Sequence, residues 1–270
     1  MNPRPLLELM QLGKTYPTPQ GPAVIVRDVN LKIAEGEFVC LIGHSGCGKS
    51  TVLSIVMGLN EPTTGSAILG MREIDGPGTD RGVVFQSPSL FPWLTVVQNI
   101  QLAVDQVKPR LSPAERLACA KEALAQVGLA GEADRHPAEL SAGMRQRAGI
   151  ARALAMDPKI LLLDEPFSLL DALTRMELQD ELLRIWEQHR KTVLMVTHDV
   201  DEALLLADRI VMMTNGPAAT IGRIMTVPFA RPRVRAQLAD NPEYYRARDS
   251  LIAFLEGQGN ELPKEEQCPA

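Results

Sequence analysis

The sequence lacks the features that would commit it to a membrane interior, an oxidising compartment or a nucleic acid. No run approaches about 18 uninterrupted apolar residues, and the opening MNPRPLLELMQLGKTYPTPQ has no apolar stretch of the kind found in secretory leaders. The chain is therefore expected to stay in the cytoplasm. Its cysteines, Cys40, Cys47, Cys119 and Cys268, show no CxxC spacing, which excludes a zinc ribbon or a disulfide framework and leaves reduced thiols. With a formal net charge of -5 and a pI near 5.5, the basic excess of a free-standing nucleic-acid binder is missing as well. What is present is a hydrophobic content of 45% in 270 residues, enough to build a full core in one large domain or two small ones. No internal repeat is found.

Along the chain, the first third alternates short apolar runs with turns (LLELMQL, VIVRDVNLKI, EGEFVCLIGHSG) and reads as mostly β. From Pro109 to Ala155 the pattern changes. LSPAERLACAKEALAQVGL and LSAGMRQRAGIARALAM carry helix formers with apolar residues three and four apart, which predicts a helical insert. KILLLDEP and KTVLMVTHD then read as buried parallel strands on either side of the helical LLDALTRMELQDELLRIWEQHR. The closing segment from about Pro228 is rich in Pro and Arg, then charged, and its last residues are expected to be disordered.

The strongest local signal is GHSGCGKST, which follows the strand FVCLI and fits GxxxxGK[ST]. Gly43, His44, Ser45, Gly46, Cys47 and Gly48 would curl the backbone so that N–H groups face phosphates, and the helix starting at TVLSIVMGL, expected to be amphipathic, adds its positive dipole end. Lys49 would hold the β- and γ-phosphates of ATP, Ser50 would ligate Mg²⁺, and Thr51, where the loop enters the helix, would bind the nucleotide as well. The bland reading is a glycine-rich turn beside an exposed lysine.

In ILLLDEPFSLLD the apolar strand ends on Asp164 and Glu165, at the edge where open α/β sheets bind ligands. Asp164 would help hold Mg²⁺ through its water shell, and Glu165 would polarise the water attacking the γ-phosphate. Two solvated acids capping a strand are the alternative. The next strand ends at His198, which can either reach the γ-phosphate or hydrogen-bond locally at a strand-to-helix junction, with Asp199 and Asp201 favouring the helix start.

The order GHSGCGKST, VVFQ, LSAGMRQR, ILLLDEP, SLLD, VTHD resembles the ABC transporter ATPase family, over residues Leu6 to Thr226. That resemblance implies an α/β P-loop NTPase core of mainly parallel sheet with an antiparallel β subdomain and an inserted helical subdomain. It implies an ATP-binding domain over 6–227, its helical insert at about 91–155, and a short C-terminal extension over 228–270. Tyr16 would stack on adenine, though alone it reads equally as a strand aromatic. Gln86 would sense Mg²⁺ and the attacking water, and Asp171 would touch a second ATPase subunit, a copy of this chain or a homologue. The expected partners are transmembrane permease subunits and, indirectly, an extracytoplasmic solute-binding protein, with no nucleic acid. The chain would sit peripherally on the cytoplasmic face of the membrane.

The segment Leu140 to Met144 departs from the family's common LSGGQ. Ser141 is still expected to be an N-cap, and in the family Ser141 and Gly143 would face the γ-phosphate of ATP on the opposite subunit. Ala142 adds a methyl group and loses φ freedom, and Met144 cannot donate the hydrogen bond a glutamine could. SPSLFPWLTVVQNI and MMTNGPAATIGRIMTVPFARPRVR resemble subunits of nitrate, cyanate and bicarbonate importers, relatives of the sulfonate and taurine group. Phe91, Pro92 and Trp93 read either as a packed turn or as a groove for a permease helix. A soluble ABC ATPase of DNA repair or translation is the reading from another class; it would bring coiled coils or paired cassettes, which are not found.

Overall fold

The computed structural model describes residues 5–257. Strands β1 (Pro5–Thr18) and β2 (Gly21–Ala34) form an antiparallel hairpin whose turn closes at Gly21, φ 115°, a conformation only glycine adopts without strain. Leu7, Leu9 and Leu12 of β1 and Val29, Leu31 and Ile33 of β2 are buried on one face of this hairpin. After β3 (Phe38–Ile42) and α1 (Lys49–Met57), β4 (Thr64–Leu69) pairs with β1 and β5 (Arg72–Glu73) with β4, completing a four-stranded sheet in the order β2-β1-β4-β5.

A second, six-stranded sheet is built on β3. With β6 (Arg81–Val84), β7 (Ile160–Asp164), β8 (Thr192–Val196) and β9 (Arg209–Met213) it is parallel, and β10 (Ile221–Thr226) closes one edge antiparallel, in the order β10-β9-β3-β8-β7-β6. Successive side chains of a parallel strand go to opposite faces, and both faces here are covered. Leu161 and Leu163 of β7 join one core cluster while Ile160 and Leu162 join the other, which is why the run is apolar without alternation. The second cluster also takes in the hairpin and α1. That helix was expected to be amphipathic; Val52, Leu53, Ile55, Val56 and Met57 are all buried, because it lies between the two sheets.

Helices cover the other face: α2 (Val96–Val107), α3 (Pro113–Gln126), α4 (Ala142–Ala155), α5 (Ala172–His189) and α6 (Val200–Leu206). The sequence pattern started the helices at Pro109, whereas α2 precedes it. Its cue is a capping box, in which the Gln98 amide N–H donates to Thr95 Oγ1 at 3.4 Å and Gln98 Oε1 accepts from the Thr95 N–H at 2.9 Å. The same device, Ser112 with Glu115, starts α3.

The Pro- and Arg-rich extension also folds, as α7 (Arg235–Ala239) and α8 (Pro242–Leu255), with Leu251 and Phe254 buried in the main cluster. The expected disorder of its closing residues falls outside the described residues. Among the described residues no helix is long and apolar enough to cross a membrane.

Candidate active site

The loop between β3 and α1 is shaped by its glycines. At Gly48 the backbone is left-handed, φ 94°, and a Cβ would lie 2.5 Å from Val26 Cγ1, so both conformation and space demand glycine. Lys49 is only 6% exposed, and its ammonium donates to the carbonyls of Gly43 at 2.7 Å and His44 at 2.9 Å. Ser45, Gly46, Gly48, Lys49, Ser50 and Thr51 line a cleft of about 510 Å³ whose other walls are Ile25, Glu165 and His198. Gly43 and Cys47 lie behind this surface: Cys47 is buried, and a Cβ on Gly43 would meet its Sγ at 2.7 Å. The His44 imidazole contacts the Leu255 carbonyl at the end of α8 and borders a neighbouring cleft.

Asp164 and Glu165 sit at the C-terminal end of β7, His198 just past β8, and Gln86 just past β6, so adjacent parallel strands deliver all four to one edge. Asp164 Oδ1 accepts from Ser50 Oγ at 3.2 Å. Burial raises the Asp164 pKa, the Ser50 hydrogen bond opposes this, and Glu165 and Lys49 add smaller pushes of opposite sign. Glu165 adopts φ 45° and donates its N–H to the Val196 carbonyl at 3.0 Å, which leaves its Oε2 3.5 Å from His198 Nδ1. Gln86 Nε2 donates to Ser168 Oγ at 3.0 Å, and that hydroxyl donates to the Glu165 carbonyl at 2.9 Å.

Among the described residues there is no cluster of three or more His, Cys, Asp or Glu side chains that would hold a metal on its own. A cation here would meet the Ser50 hydroxyl and the partly desolvated Asp164 carboxylate, a sparse set of hard oxygen donors. That fits Mg²⁺, which keeps several waters and shares itself with phosphates.

Four expected residues stand apart from this cleft. Tyr16 faces Ala23 across the hairpin, with Lys14 Nζ 5.0 Å from its ring centroid, and Ala23 borders the neighbouring cleft while Tyr16 does not. Ser141 caps α4, accepting from the Met144 N–H at 3.3 Å, and Gly143 is buried against α5, where a Cβ would come within 2.4 Å of Thr174 Cγ2. Asp171 caps α5 by accepting from the Thr174 N–H at 3.0 Å. Ile25, as a wall of the cleft, and Ser168, as the bridge from Gln86 to Glu165, were not foreseen; in sequence one is an ordinary strand residue and the other an ordinary turn residue.

A parallel sheet ending on a glycine-rich loop, a Ser–Asp pair and a Glu–His pair, with an antiparallel hairpin on one side and a helical insert on the other, defines a P-loop NTPase of the ABC ATPase type. The chain belongs to the ABC transporter family, whose model matches residues 26–168. It is 54% identical over 251 residues to the bicarbonate transport ATP-binding protein CmpD of Synechococcus elongatus, covering 93% of this chain and 90% of that one. It is also 54% identical over 244 residues to the nitrate import ATP-binding protein NrtD of the same organism, covering 90% and 89%. The nitrate transport protein NasD of Klebsiella oxytoca is 50% identical over 253 residues, covering 93% and 97%. Among solved structures, the dimeric post-hydrolysis state of the ATP-binding cassette MJ0796 bound to ADP and Pi superposes with a TM-score of 0.73 at 34% identity, over 83% of this chain and 100% of that one.

Proposed function

We propose that this chain binds and hydrolyses Mg-ATP to energise import of a small inorganic oxyanion, nitrate or nitrite, through membrane permease subunits. The observation that carries the chemistry is the meeting at one sheet edge of Ser50 with Asp164, 3.2 Å apart, and of Glu165 with His198, 3.5 Å apart. Lys49 and the loop amides hold the β- and γ-phosphates, and Tyr16 stacks on adenine. Ser50, Gln86 and Asp164 would hold Mg²⁺, which when bound would neutralise charge on the phosphate oxygens. Glu165 orients the attacking water and accepts its proton as the new P–O bond forms and the bond to ADP breaks. His198 donates to the γ-phosphate. Ser141 and Gly143 of one subunit close over the γ-phosphate held by another, in a head-to-tail pair of this chain with itself or a homologue.

Trp93 is 70% exposed beside Phe91, and buried Asn99 fixes their turn by bonding Phe91, Leu94 and Thr95 main-chain groups. A rigid, exposed aromatic pair suits a permease helix on the cytoplasmic face of the membrane, with the solute-binding protein reached only through the permease. The solute reading rests on NrtD and NasD; CmpD, at the same identity as NrtD, supports bicarbonate as the second reading. The test is solute uptake by cells carrying Glu165→Gln in place of the native chain. Loss of nitrate and nitrite uptake is expected, and loss of bicarbonate uptake alone selects the second reading. Normal uptake of nitrate, nitrite, cyanate and bicarbonate beside failed alkanesulfonate uptake would move the protein to the sulfonate group.

A further inference from the structure

Three arginines in the extension, Arg231, Arg233 and Arg235, reach back to α5, to the end of α6 and to the turn before β9. Arg231 lies over the Trp186 ring, 4.1 Å from guanidinium carbon to centroid, and its Nε donates to Asp208 at 2.7 Å. Arg233 is 7% exposed and spends its guanidinium on the carbonyls of Phe229, Leu204, Leu205 and Ala207, closing the C-terminal end of α6. Arg235 clasps α5: its Nε donates to Asp180 Oδ1 at 2.9 Å, and its Nη2 to Gln179 Oε1 at 2.6 Å and the Met176 carbonyl at 3.3 Å.

From Arg235 a chain of hydrogen bonds, buried from Gln179 onward, runs to Thr197, the residue before His198. Gln179, 3% exposed, accepts from Arg235 and donates its Nε2 to Glu202 Oε1 at 3.1 Å. The other Glu202 oxygen accepts from the hydroxyl of Thr197, the residue before His198. Thr197 Oγ1 in turn accepts from the Asp199 N–H at 3.1 Å, and Asp199 caps the N–H of Glu202 at 3.0 Å. Thr197 and Glu202 are 2% and 6% exposed, so water cannot replace a missing partner without cost. The turn that aims His198 is thus pinned through its neighbours on both sides, while the imidazole itself stays largely exposed at the cleft.

We infer that Arg235 of the C-terminal extension is a positioning residue for ATP hydrolysis, acting through Gln179, Glu202 and Thr197 on the turn that presents His198. This rests on the proposed role of His198. The amide is polarised the right way round, because a cation on its oxygen strengthens the hydrogen bonds it donates to the carboxylate. An extension lying outside the matched family segment thereby contributes to the chemistry, and anything that moved α7 would change the aim of His198.

The test is a double-mutant cycle read as steady-state ATP turnover of the full-length chain, with nucleotide affinity and melting temperature measured beside it. Arg235→Ala is expected to lower kcat by about tenfold with KM for ATP unchanged, and to add nothing in a His198→Ala background, the non-additivity of residues acting through one another. Thr197→Val should reproduce the loss, and Thr197→Ser, which keeps the hydroxyl, should restore turnover. A full Arg235→Ala loss persisting in the His198→Ala background, or a lowered melting temperature with unchanged kcat, would overturn the inference. Unchanged turnover in His198→Ala itself would overturn the role of His198 and the inference with it. Unchanged turnover in Arg235→Ala beside an impaired His198→Ala would overturn the inference alone.

Discussion

Glu202→Gln should raise the stability of this protein at neutral pH while leaving it nearly unchanged in acid. Glu202 is 6% exposed, and burial pushes its carboxyl up to about 7 from 4.5, against hydrogen bonds from Thr197 and Gln179; Asp199 adds to the rise and Arg175 opposes it. A carboxyl with a raised folded-state pKa holds its proton more tightly when folded. Its contribution is therefore fully present below pH 4.5 and is lost as pH rises through about 7. Each pKa unit is worth about 1.4 kcal/mol, so the full loss is roughly 3 kcal/mol. Glutamine has nearly the same size, never ionises, and can accept from Gln179 with its oxygen while donating to Thr197 with its nitrogen. Urea unfolding of both chains at pH 5 and at pH 8 should show the advantage of the variant growing by roughly 2 to 3 kcal/mol between them. An advantage that does not change with pH would refute the argument, because it would mean that Glu202 has the same affinity for its proton folded and unfolded.

Lys49→Ala should weaken ATP binding by about 10- to 100-fold, measured by titration calorimetry, since it removes the charge-assisted donors meant for the phosphates. It should also cost about 1 to 3 kcal/mol of stability by urea melt, because the ammonium is buried against the Gly43 and His44 carbonyls and is not the solvent-facing group that the sequence alone suggests. Glu165→Gln should hydrolyse ATP roughly 10² to 10⁴-fold more slowly and accumulate as an ATP-bound dimer in gel filtration; wild-type turnover would refute its assignment. If such a dimer fails to appear despite slow turnover, adding Ala142→Gly and Met144→Gln separates a weak clamp from a wrong dimer. Trp93→Ala should weaken association with the permease subunits by about 2 kcal/mol in a pull-down titration, and unaltered association would place that contact elsewhere.

The phosphate loop, the acid pair and the α4 cap were legible in the sequence because each is local. Gly48 must be glycine for a backbone angle set within its own turn, Asp164 and Glu165 end an apolar strand, and Ser141 precedes the helix it caps. The helical period began only at Pro109, because the capping box of α2 at Thr95 and Gln98 follows a Pro- and aromatic-rich turn that masks it; the insert at about 91–155 that the family resemblance implied does contain α2. The extension was read from composition alone, and composition does not say what three arginines will touch.

What the sequence determined by itself was therefore the parts: a strand, a loop that must curl, two carboxylates at a strand end, a histidine at the next. The tertiary structure decided their company. Ser50 meets Asp164 across 114 residues, Gln86 meets Ser168 across 82, and Arg235 meets Gln179 across 56. No periodicity encodes these meetings, because each depends on the order in which the parallel strands are laid side by side and on which helix the returning chain crosses. That order is a property of the whole buried core, in which each β7 side chain packs against residues distant in sequence, so the site exists only once the core has closed.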